Sequence, residues 1–348
     1  MPDDFQEAMA AYRRGDYEAA VRGLAALSHL KNARHNLGAL LNQLGRLAEA
    51  EAALRPIVAQ YPEFAASQFT LAMVLLAQER YADGWRLYES RRGTGHVHVY
   101  EPQTTAPEWR GEDLGGRRIV VCAEQGYGDQ VMFGRYLPLL RARGARVTVG
   151  CNALMRPLFA GLGYDVTPFS EQQRRLPDCD LWVQMGSLPC RLGLEAPPPP
   201  LALAPRRGGG GIGVVPRGDP RHVNDRNRSL PPDLAARLLG LGRDLRPEAT
   251  GTRDFREAAE LFAGLDLVIT VDTAAAHVAG SLGVPTWVLL PAFGTDWRWG
   301  RGRSDCAWYP SVRLFRQPAP GEWAPVFDEV ERALRQDAPP GGQGYRLD

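Results

Sequence analysis

The feature that most constrains the fold is the stretch from residue 266 to residue 283, Asp-Leu-Val-Ile-Thr-Val-Asp-Thr-Ala-Ala-Ala-His-Val-Ala-Gly-Ser-Leu-Gly. Its first six residues form a short apolar run rich in β-branched side chains, which predicts a buried strand over 266–271. The alanine-rich sequence that follows predicts a helix over 273–282, and Gly283 ends it. A buried strand that leads directly into a helix is typical of an α/β fold.

The junction between this strand and this helix is a candidate anion site. Asp272 and Thr273 stand where a side-chain oxygen caps the first N–H groups of a helix. Ala274 follows them, and His277 lies one turn further along, on the same side as Thr273. Unpaired N–H groups and the positive end of the helix dipole favour a phosphate or diphosphate. A well-capped strand–helix unit with an incidental histidine explains the same residues, and this stretch alone leaves both interpretations open.

Composition limits the kinds of partner. The 348 residues carry a formal net charge of +1, which gives no basic field for nucleic acid. Lys31 is the single lysine, so a cationic contact to an anionic ligand must come from arginine, whose planar guanidinium suits phosphate. The five cysteines are scattered, with no Cys-x-x-Cys pair, which fits a reducing compartment. Asp3 and Asp4 do not fit an export signal, and no apolar run reaches membrane-spanning length, so we expect a cytoplasmic protein.

Residues 1–92 repeat a helical pattern. Small and large apolar positions recur at a spacing of 30 and then of 34 residues, in the sets Ala8/Gly38/Ala72, Ala20/Ala50/Gly84, Tyr17/Leu47/Tyr81 and Leu24/Leu54/Tyr88. The pattern resembles the tetratricopeptide repeat, a helix–turn–helix unit of about 34 residues, of which about three make a stable stack. Such stacks present a face to a protein or peptide partner. A packing or dimerisation cap is the alternative, which leaves a homo-oligomer open.

The rest of the chain alternates predicted strands and helices, which indicates parallel, doubly wound sheets. The predicted elements include one helix over 129–143 and strands over 146–151, 212–215 and 286–290. We expect a linker or strap over 93–116, a Rossmann-like domain over 117–195, a Pro- and Gly-rich linker over 196–211, a second Rossmann-like domain over 212–336 and a flexible tail over 337–348. His96 and His98 stand in the strap like a metal-binding pair, but no third ligand is near them in sequence, so no metal site is expected.

A glycine-rich turn follows the first strand of the first Rossmann-like domain. Val131 stands where the dinucleotide fingerprint has its third glycine, and no P-loop lysine follows, so both nucleotide motifs are incomplete. The turn places Asp129 at the carboxyl edge of the sheet, where it can act either as a helix cap or as a general base. We expect the residues before it to line a cleft: Gln125, Gly126, Tyr127 and Gly128.

Two loops of the second Rossmann-like domain are further candidates for ligand contacts. Residues 216–229 follow a predicted strand and are dense in arginine and amide side chains, which favours an anionic ligand over a merely polar surface. The candidates in this loop are His222, Asn224, Arg226 and Arg228. Residues 293–299 are rich in aromatics, and we expect Trp297 and Arg298 to line the cleft against a sugar ring or a base. Tryptophans that fold back onto the domain surface are the alternative.

Three motifs, in this order, resemble glycosyltransferase family 9, the heptosyltransferases. They are Gly-Tyr-Gly-Asp at 126–129, Arg-His-Val-Asn-Asp-Arg-Asn-Arg-Ser at 221–229 and Asp-Thr-Ala-Ala-Ala-His at 272–277. The order of repeats, transferase motifs, Trp-Arg-Trp and Trp-Tyr-Pro-Ser resembles the tetratricopeptide-containing branch. The resemblance implies helical repeats followed by two Rossmann-like domains in a GT-B arrangement. It also implies inverting, metal-independent transfer from a nucleotide diphosphate sugar, with no other cofactor.

The resemblance assigns roles to individual residues. Asp129 is the expected base that deprotonates the acceptor hydroxyl. The helix start at 272–277 is expected to hold the diphosphate through backbone N–H groups, Thr273 and His277, and Asp272 is expected either to orient that turn or to contact the donor. A lysine helps to neutralise the diphosphate in heptosyltransferases, and here Arg226 or Arg228 must replace it. The Asp-x-Asp motif at 178–180 is typical of metal-dependent sugar transferases, but it precedes a strand and therefore lies at the wrong edge of the sheet.

The sequence favours a sugar transferase whose repeats recruit the acceptor, with a protein such as flagellin as one candidate. Two alternatives stay open. One is a non-catalytic scaffold with a degenerate transferase domain, and the other is transfer to a lipopolysaccharide-type acceptor. The sugar, the nucleotide base and the acceptor are not predicted.

Overall fold

The computed structural model describes residues 3–95, 97 and 99–336. The expectations for His96, His98 and the tail over 337–348 therefore lie outside the described residues. The chain divides into two compact units. The helical unit comprises the first 97 residues with the short segments 193–196 and 293–302, and the α/β unit comprises the remainder.

The helical unit contains six α-helices within the described residues, packed as three successive pairs. The helices are α1 (Asp3–Arg14), α2 (Tyr17–Ala26), α3 (Lys31–Gln43), α4 (Leu47–Gln60), α5 (Ala65–Ala77) and α6 (Tyr81–Tyr88). The second helix of each pair begins at Tyr17, Leu47 or Tyr81, which reproduces the sequence spacings of 30 and 34. Small residues stand where the helices of a pair touch. A side chain at Gly38 would lie 2.5 Å from Leu54, and one at Gly84 would lie 2.7 Å from Leu76.

The first sheet of the α/β unit is parallel, with the strand order β3-β2-β1-β4. Its strands are β1 (Arg118–Cys122), β2 (Arg146–Cys151), β3 (Asp165–Pro168) and β4 (Leu181–Gln184), and its helices are α7 (Tyr127–Gly134), α8 (Leu137–Ala142), α9 (Arg156–Gly161) and α10 (Leu188–Leu192). The sequence predicted α7 and α8 as one helix over 129–143. The helix breaks after Gly134 because Pro138 lacks an N–H and its ring clashes with the carbonyl four residues earlier.

The second sheet is also parallel, with the strand order β6-β5-β7-β8-β9. Its strands are β5 (Ile212–Val215), β6 (Arg243–Asp244), β7 (Leu267–Val271), β8 (Thr286–Leu290) and β9 (Val312–Arg316). Its helices are α11 (Asp225–Arg228), α12 (Pro232–Gly240), α13 (Pro247–Thr250), α14 (Phe255–Phe262), α15 (Ala274–Ser281) and α16 (Ala324–Gln336). The apolar faces of α12 and α16 bury β5, β7 and β8 in one core. The predicted parallel α/β sheets are thereby confirmed.

The two predicted connecting segments are held by hydrogen bonds. Trp109 is fully buried, and its backbone N–H donates to the carbonyl of Trp182 in β4, so this part of the first segment is a strap. In the second segment the Gly209 and Gly211 N–H groups donate to the Asp266 carboxylate at 2.6 and 2.9 Å. The carboxylate directly before β7 therefore binds two backbone donors of the glycine run.

The prediction of two Rossmann-like domains joined by residues 196–211 stays a prediction, and both sheets lie in one compact unit. The physical reason is direct helix packing, since α7 packs on α15 and α9 packs on α14. The Phe255 N–H also donates to the Leu154 carbonyl at 3.1 Å. No helix in the described ranges is both long enough and apolar enough to cross a bilayer.

Candidate ligand site at the carboxyl edges of the sheets

The strand order of the second sheet places a crevice between β5 and β7. If the five strands are numbered by their place in the chain, their order across the sheet is 2-1-3-4-5. The chain adds β6 on one side of β5 and the later strands on the other side, so the topological switch point lies between β5 and β7. Open α/β sheets bind ligands outside the carboxyl ends of the strands at such a switch point. The loop after β5 and the start of α15 both lie at this edge. The structure therefore brings together the arginine-rich loop and the Asp-Thr-Ala-Ala-Ala-His motif.

The start of α15 has the groups that the sequence predicted. Thr273 is extended (φ −144°, ψ 177°) and is the N-cap residue, and its hydroxyl accepts from the Ala275 N–H at 3.3 Å. Asp272, Thr273 and Ala274 are half-buried, so an anion can reach the first turn of this eight-residue helix. The hydroxyls of Thr270 and Thr273 lie 3.3 Å apart. These contacts fix the turn with its N–H groups and dipole at the crevice.

Arg228 joins the arginine-rich loop to this helix start. Its Nη1 donates to the Asp272 carbonyl at 2.9 Å, and its Nε donates to Asp225 at 3.2 Å. Only 12% of the Arg228 side chain is exposed, so this contact belongs to the packed interior of the loop. Gly218 makes room for it, because a side chain there would lie 2.4 Å from the Asp225 carboxylate and 2.6 Å from Arg228 Nη2.

Other arginines at this edge differ in whether they are already paired. Asp219 holds Arg221 in an exposed ion pair, which lowers the pKa of Asp219 to about 2. Asp244 likewise pairs with Arg246 at 2.6 Å. Arg217 and Arg226 are exposed, and neither side chain makes a hydrogen bond or ion pair with any residue that the structure describes. Of the two predicted cations, the Arg228 side chain is held by Asp225 and the Asp272 carbonyl, whereas the Arg226 side chain can contact an anionic ligand.

A cleft of about 640 Å³ opens beside the arginine-rich loop, toward β6. It is lined by Arg217, Gly218, Pro220, Asp225, Arg246, Glu248 and Ala249. Arg217 is not among the residues predicted from the sequence, although its position directly after Val215-Pro216 at the end of β5 is visible there. Arg246 and Glu248 were not predicted either, because the two-residue strand β6 is too short to show a pattern.

The predicted base, Asp129, lies at the carboxyl edge of the first sheet. It is half-buried in the first turn of α7, and its Oδ2 accepts from the Gly126 N–H at 2.9 Å. The carboxylate therefore makes the helix-capping contact that the sequence left open. Gln125 adopts a left-handed backbone with φ 61°, which is unusual for a residue other than glycine and marks a tightly held turn.

Glu124 is a functional candidate that the sequence analysis did not select. Its side chain is 3% exposed, and its Oε1 accepts from the Gly186 N–H at 2.7 Å. This bond joins the ends of β1 and β4, which is the switch point of the first sheet. The burial of Glu124 depends on the loop after β4, so sequence spacing carried no signal for it.

His277 is placed differently from the expected diphosphate contact. It is 5% exposed, and its Nδ1 lies 2.9 Å from the Tyr309 hydroxyl. Its ring also fills the space over Gly128, where a side chain would lie 2.6 Å from His277 Cδ2 and 3.1 Å from Nε2. The glycine at 128 therefore serves helix packing between α7 and α15, where the sequence predicted close approach of a ligand.

Other predicted cleft residues stay near the surface. Gly126 is exposed, and Tyr127 is 38% exposed with its ring 4.9 Å from that of Phe255. In the arginine-rich loop, His222 is exposed and its Nδ1 accepts from the Asn224 N–H at 3.2 Å.

The sequence predicted that Trp297 and Arg298 line the cleft against a sugar ring or a base. Both belong to the helical unit and are buried, with 6% and 8% exposure. Trp297 packs edge-on against Trp85, with ring centroids 5.4 Å apart, and Arg298 pairs with Asp296 at 2.8 Å. The tryptophans fold back because their large apolar surface is better buried against the helices than exposed in a loop.

The Asp-x-Asp motif forms ion pairs. Arg118, the first residue of β1, contacts Asp178 at 2.9 Å and Asp180 at 3.0 Å. The Arg118 guanidinium holds the pKa of Asp180 below its usual range. Within the described residues, no group of three or more His, Cys, Asp or Glu side chains is placed to hold a metal ion.

Comparison with known proteins gives a relative and several structural similarities. The chain is 28% identical to Protein FlbA of Caulobacter vibrioides, over 84% of this chain and 58% of FlbA. It therefore spans little more than half of that relative's length. No protein-family model matches the chain.

Three solved structures with detected similarity are described as transferases. The iron-containing dodecameric glycosyltransferase TibC from enterotoxigenic E. coli is 13% identical, with 65% of this chain and 79% of TibC covered and a TM-score of 0.41. The glycosyl transferase family 9 protein from Veillonella parvula is 11% identical, with 66% and 92% covered and a TM-score of 0.40. An O-GlcNAc transferase mutant from Thermobaculum terrenum is 17% identical, with 84% and 85% covered and a TM-score of 0.26. Superpositions below 0.5 do not establish a shared fold.

Proposed function

We propose that the α/β unit is a glycosyltransferase that moves a sugar from a nucleoside diphosphate sugar to an acceptor hydroxyl. The observation that carries the proposal is the bond from Arg228 to the Asp272 carbonyl at 2.9 Å. It holds an arginine-rich loop beside an accessible helix start at the switch point of a parallel sheet. Helix N-termini and guanidinium groups are both suited to phosphate oxygens. The family 9 motifs of the sequence coincide with these elements.

The diphosphate is the part of the donor that this edge suits best. Its negative charge grows as the bond between the sugar carbon and the phosphate oxygen breaks. Backbone N–H groups at the start of α15, fixed by the Thr273 cap, supply preorganised donors for that charge. Arg226 and Arg217 supply cations that are exposed and engaged by no described residue. In the proposed reaction these groups neutralise the leaving group without a metal ion.

The acceptor side of the reaction belongs to the first sheet. The acceptor hydroxyl attacks the anomeric carbon from the face opposite the diphosphate, so the anomeric configuration inverts. Its proton passes to the Asp129 carboxylate as the new bond forms. Asp129 already accepts the Gly126 N–H through Oδ2, and that contact fixes the direction of the carboxylate. A positioned base of this kind contributes about 10²–10⁴-fold to the rate.

Glu124 is the proposed positioning residue for that base. By binding the Gly186 N–H it joins the turn after β1 to the turn after β4. His277 has an indirect role, because its ring and Tyr309 hold α15 against α7 through Gly128. The two helices carry the donor and acceptor groups, respectively, so this contact sets the distance between them.

The experiment is a thermal-shift panel of nucleoside diphosphates and their sugars on the full chain, with EDTA and, separately, with magnesium. Ligand at 100 times its dissociation constant should stabilise the folded chain by about 2.7 kcal/mol. A rise that one nucleotide base produces equally with EDTA and with magnesium supports the proposal and identifies the base. Failure of every nucleotide to raise the unfolding temperature would favour a non-catalytic repeat scaffold.

A further inference from the structure

We propose that the helical repeats form a peptide-binding surface whose resident occupant is residues 293–302 of the same chain. We call these residues the resident segment, and the surface that holds them, around Tyr12, Tyr17, Gln43 and Trp85, the repeat face. The repeat face fits peptides with two aromatic side chains four residues apart and a glycine directly after the first. This inference is independent of the proposed transferase activity.

The first anchor of the resident segment is Phe293, which is 3% exposed and part of the apolar core of the repeats. Its ring stacks on that of Tyr17, with centroids 4.3 Å apart and planes inclined by 8°. Tyr12 flanks the same ring at 6.4 Å. The first helix pair therefore offers a pocket built from two tyrosines that encloses one aromatic side chain.

The second helix pair forms hydrogen bonds with the resident segment. The Gly294 N–H donates to the Gln43 carbonyl at 2.8 Å. Gly294 has φ 69°, a backbone conformation that favours glycine, so its place after the first aromatic residue is a specific requirement. Arg301 Nη2 donates to the Asn42 carbonyl at 3.3 Å. These contacts use the carboxyl end of α3, whose last carbonyls have no partner within the helix.

The third helix pair holds the second anchor. Trp297 packs edge-on against Trp85 of α6, with centroids 5.4 Å apart and an interplanar angle of 84°. Residues 297–299 also pack on α5. All three helix pairs thus contact one short segment, through two aromatic pockets separated by backbone hydrogen bonds. Side-chain pockets that fix identity, together with main-chain bonds that fix register, are the usual elements of peptide recognition.

The resident segment comes from a part of the chain outside the repeats, so its contact with the repeat face is the binding of a separate segment and not packing between repeat helices. It lies between β8 and β9 in the chain, whereas the repeats are complete by residue 88. Tethering gives the resident segment an effective concentration in the millimolar range. A separate peptide of the same pattern must therefore compete with a strong internal ligand.

The first test measures binding of a labelled peptide of residues 291–297, with blocked ends, to the full chain carrying Phe293→Ala and Trp297→Ala. We expect saturable binding to this released variant and at least about tenfold weaker binding to the wild type, whose repeat face is occupied. Adding Tyr17→Ala to the released variant should lower the affinity at least about tenfold, since it removes a ring that stacks on the first anchor. No binding to the released variant, or equal binding to the wild type, would overturn the proposal.

The matched control is Tyr61→Ala in the released variant. Tyr61 is a half-buried aromatic of the repeats, like Tyr17, but its ring contact is to Lys31 rather than to the resident segment. Peptide affinity should be unchanged by Tyr61→Ala. Equal losses for Tyr17→Ala and Tyr61→Ala would show general disruption of the repeats, and the proposed recognition would then be rejected.

A second test avoids variants that empty a buried cluster. Trypsin cleavage of the wild-type chain after Arg298 and Arg301 is followed by the size of the protein fragments, with and without excess peptide. The peptide of residues 291–297 has no trypsin site. Displacement by the peptide exposes both arginines, so cleavage should accelerate in proportion to the open population. An unchanged cleavage rate at saturating peptide would contradict the proposal.

Discussion

The contact of Gly128 with His277 gives the sharpest prediction from the structure, through Gly128→Ala. A methyl group at this position would lie 2.6 Å from His277 Cδ2 and 3.1 Å from Nε2. Such distances are too short for carbon–carbon contact, so one of the two helices must shift. His277 cannot swing away freely, because it is 5% exposed and its Nδ1 is bonded to the Tyr309 hydroxyl.

The magnitude of this effect follows from two opposing terms. Overpacking of a well-packed contact costs about 1–3 kcal/mol. Replacing glycine by alanine in a helix returns up to about 1 kcal/mol. We therefore expect Gly128→Ala to lower the free energy of unfolding by about 1–2 kcal/mol. The nucleoside diphosphate affinity should also fall, because the start of α15 moves with its helix.

The matched control is Gly240→Ala, at the end of α12. It is also a helical glycine, but an added side chain there meets nothing within 4 Å. This variant should be more stable than the wild type by about 0.5–1 kcal/mol, through helix propensity and lower entropy of the unfolded chain. Urea denaturation of both variants measures the difference. If Gly128→Ala proves as stable as Gly240→Ala, the close contact between α7 and α15 is refuted.

Three further predictions concern the first sheet. Asp129→Asn should leave donor binding intact and lower sugar transfer by about 10²–10⁴-fold, the contribution of a positioned base; a fully active Asn variant would end that assignment. Glu124→Gln keeps an oxygen for the Gly186 N–H and should retain stability. Glu124→Ala leaves that buried N–H unpaired and should lower the free energy of unfolding, measured by urea denaturation, by about 1–3 kcal/mol. Equal stability of the two variants would show that the hydrogen bond between Glu124 and Gly186 does not stabilise the chain. Burial raises the pKa of the Cys151 thiol to about 12, so iodoacetamide at pH 8 should not label it in the folded chain and should label it in urea; rapid labelling of the folded chain would contradict the burial.

Much of the fold was predictable because local patterns determined it. The strands at 146–151, 212–215 and 286–290 agree with the sequence prediction to the residue, since each is an apolar run bounded by turn residues. The two-residue strand β6 was missed because it has no period to detect. The prediction of a single helix over 129–143 was wrong, because the structure has two helices there. The prediction followed the apolar periodicity of the segment and gave too little weight to Pro138, which interrupts a helix.

The candidate site was predictable only where chemistry follows directly after a strand. Thr273 and Asp129 are found at the predicted sheet edges because strand ends are visible in sequence. The burial of His277 under Gly128 depends on contact between two helices far apart in the chain, which no local pattern records. For the same reason the sequence could not show that Trp297 belongs with Trp85 of the repeats.

The most direct test of the account is calorimetric titration of a nucleoside diphosphate into the full chain and into the variant with Arg226→Ala and Arg228→Ala. Hydrogen bonds to charged groups contribute about 1.5–3 kcal/mol each, so the double variant should bind at least about tenfold more weakly than the wild type. Arg332→Ala is the control, since Arg332 is an exposed arginine on α16 whose side chain makes no hydrogen bond or ion pair with any described residue. A loss confined to the double variant supports a diphosphate site between β5 and β7. Unchanged affinity in the double variant would contradict the central claim.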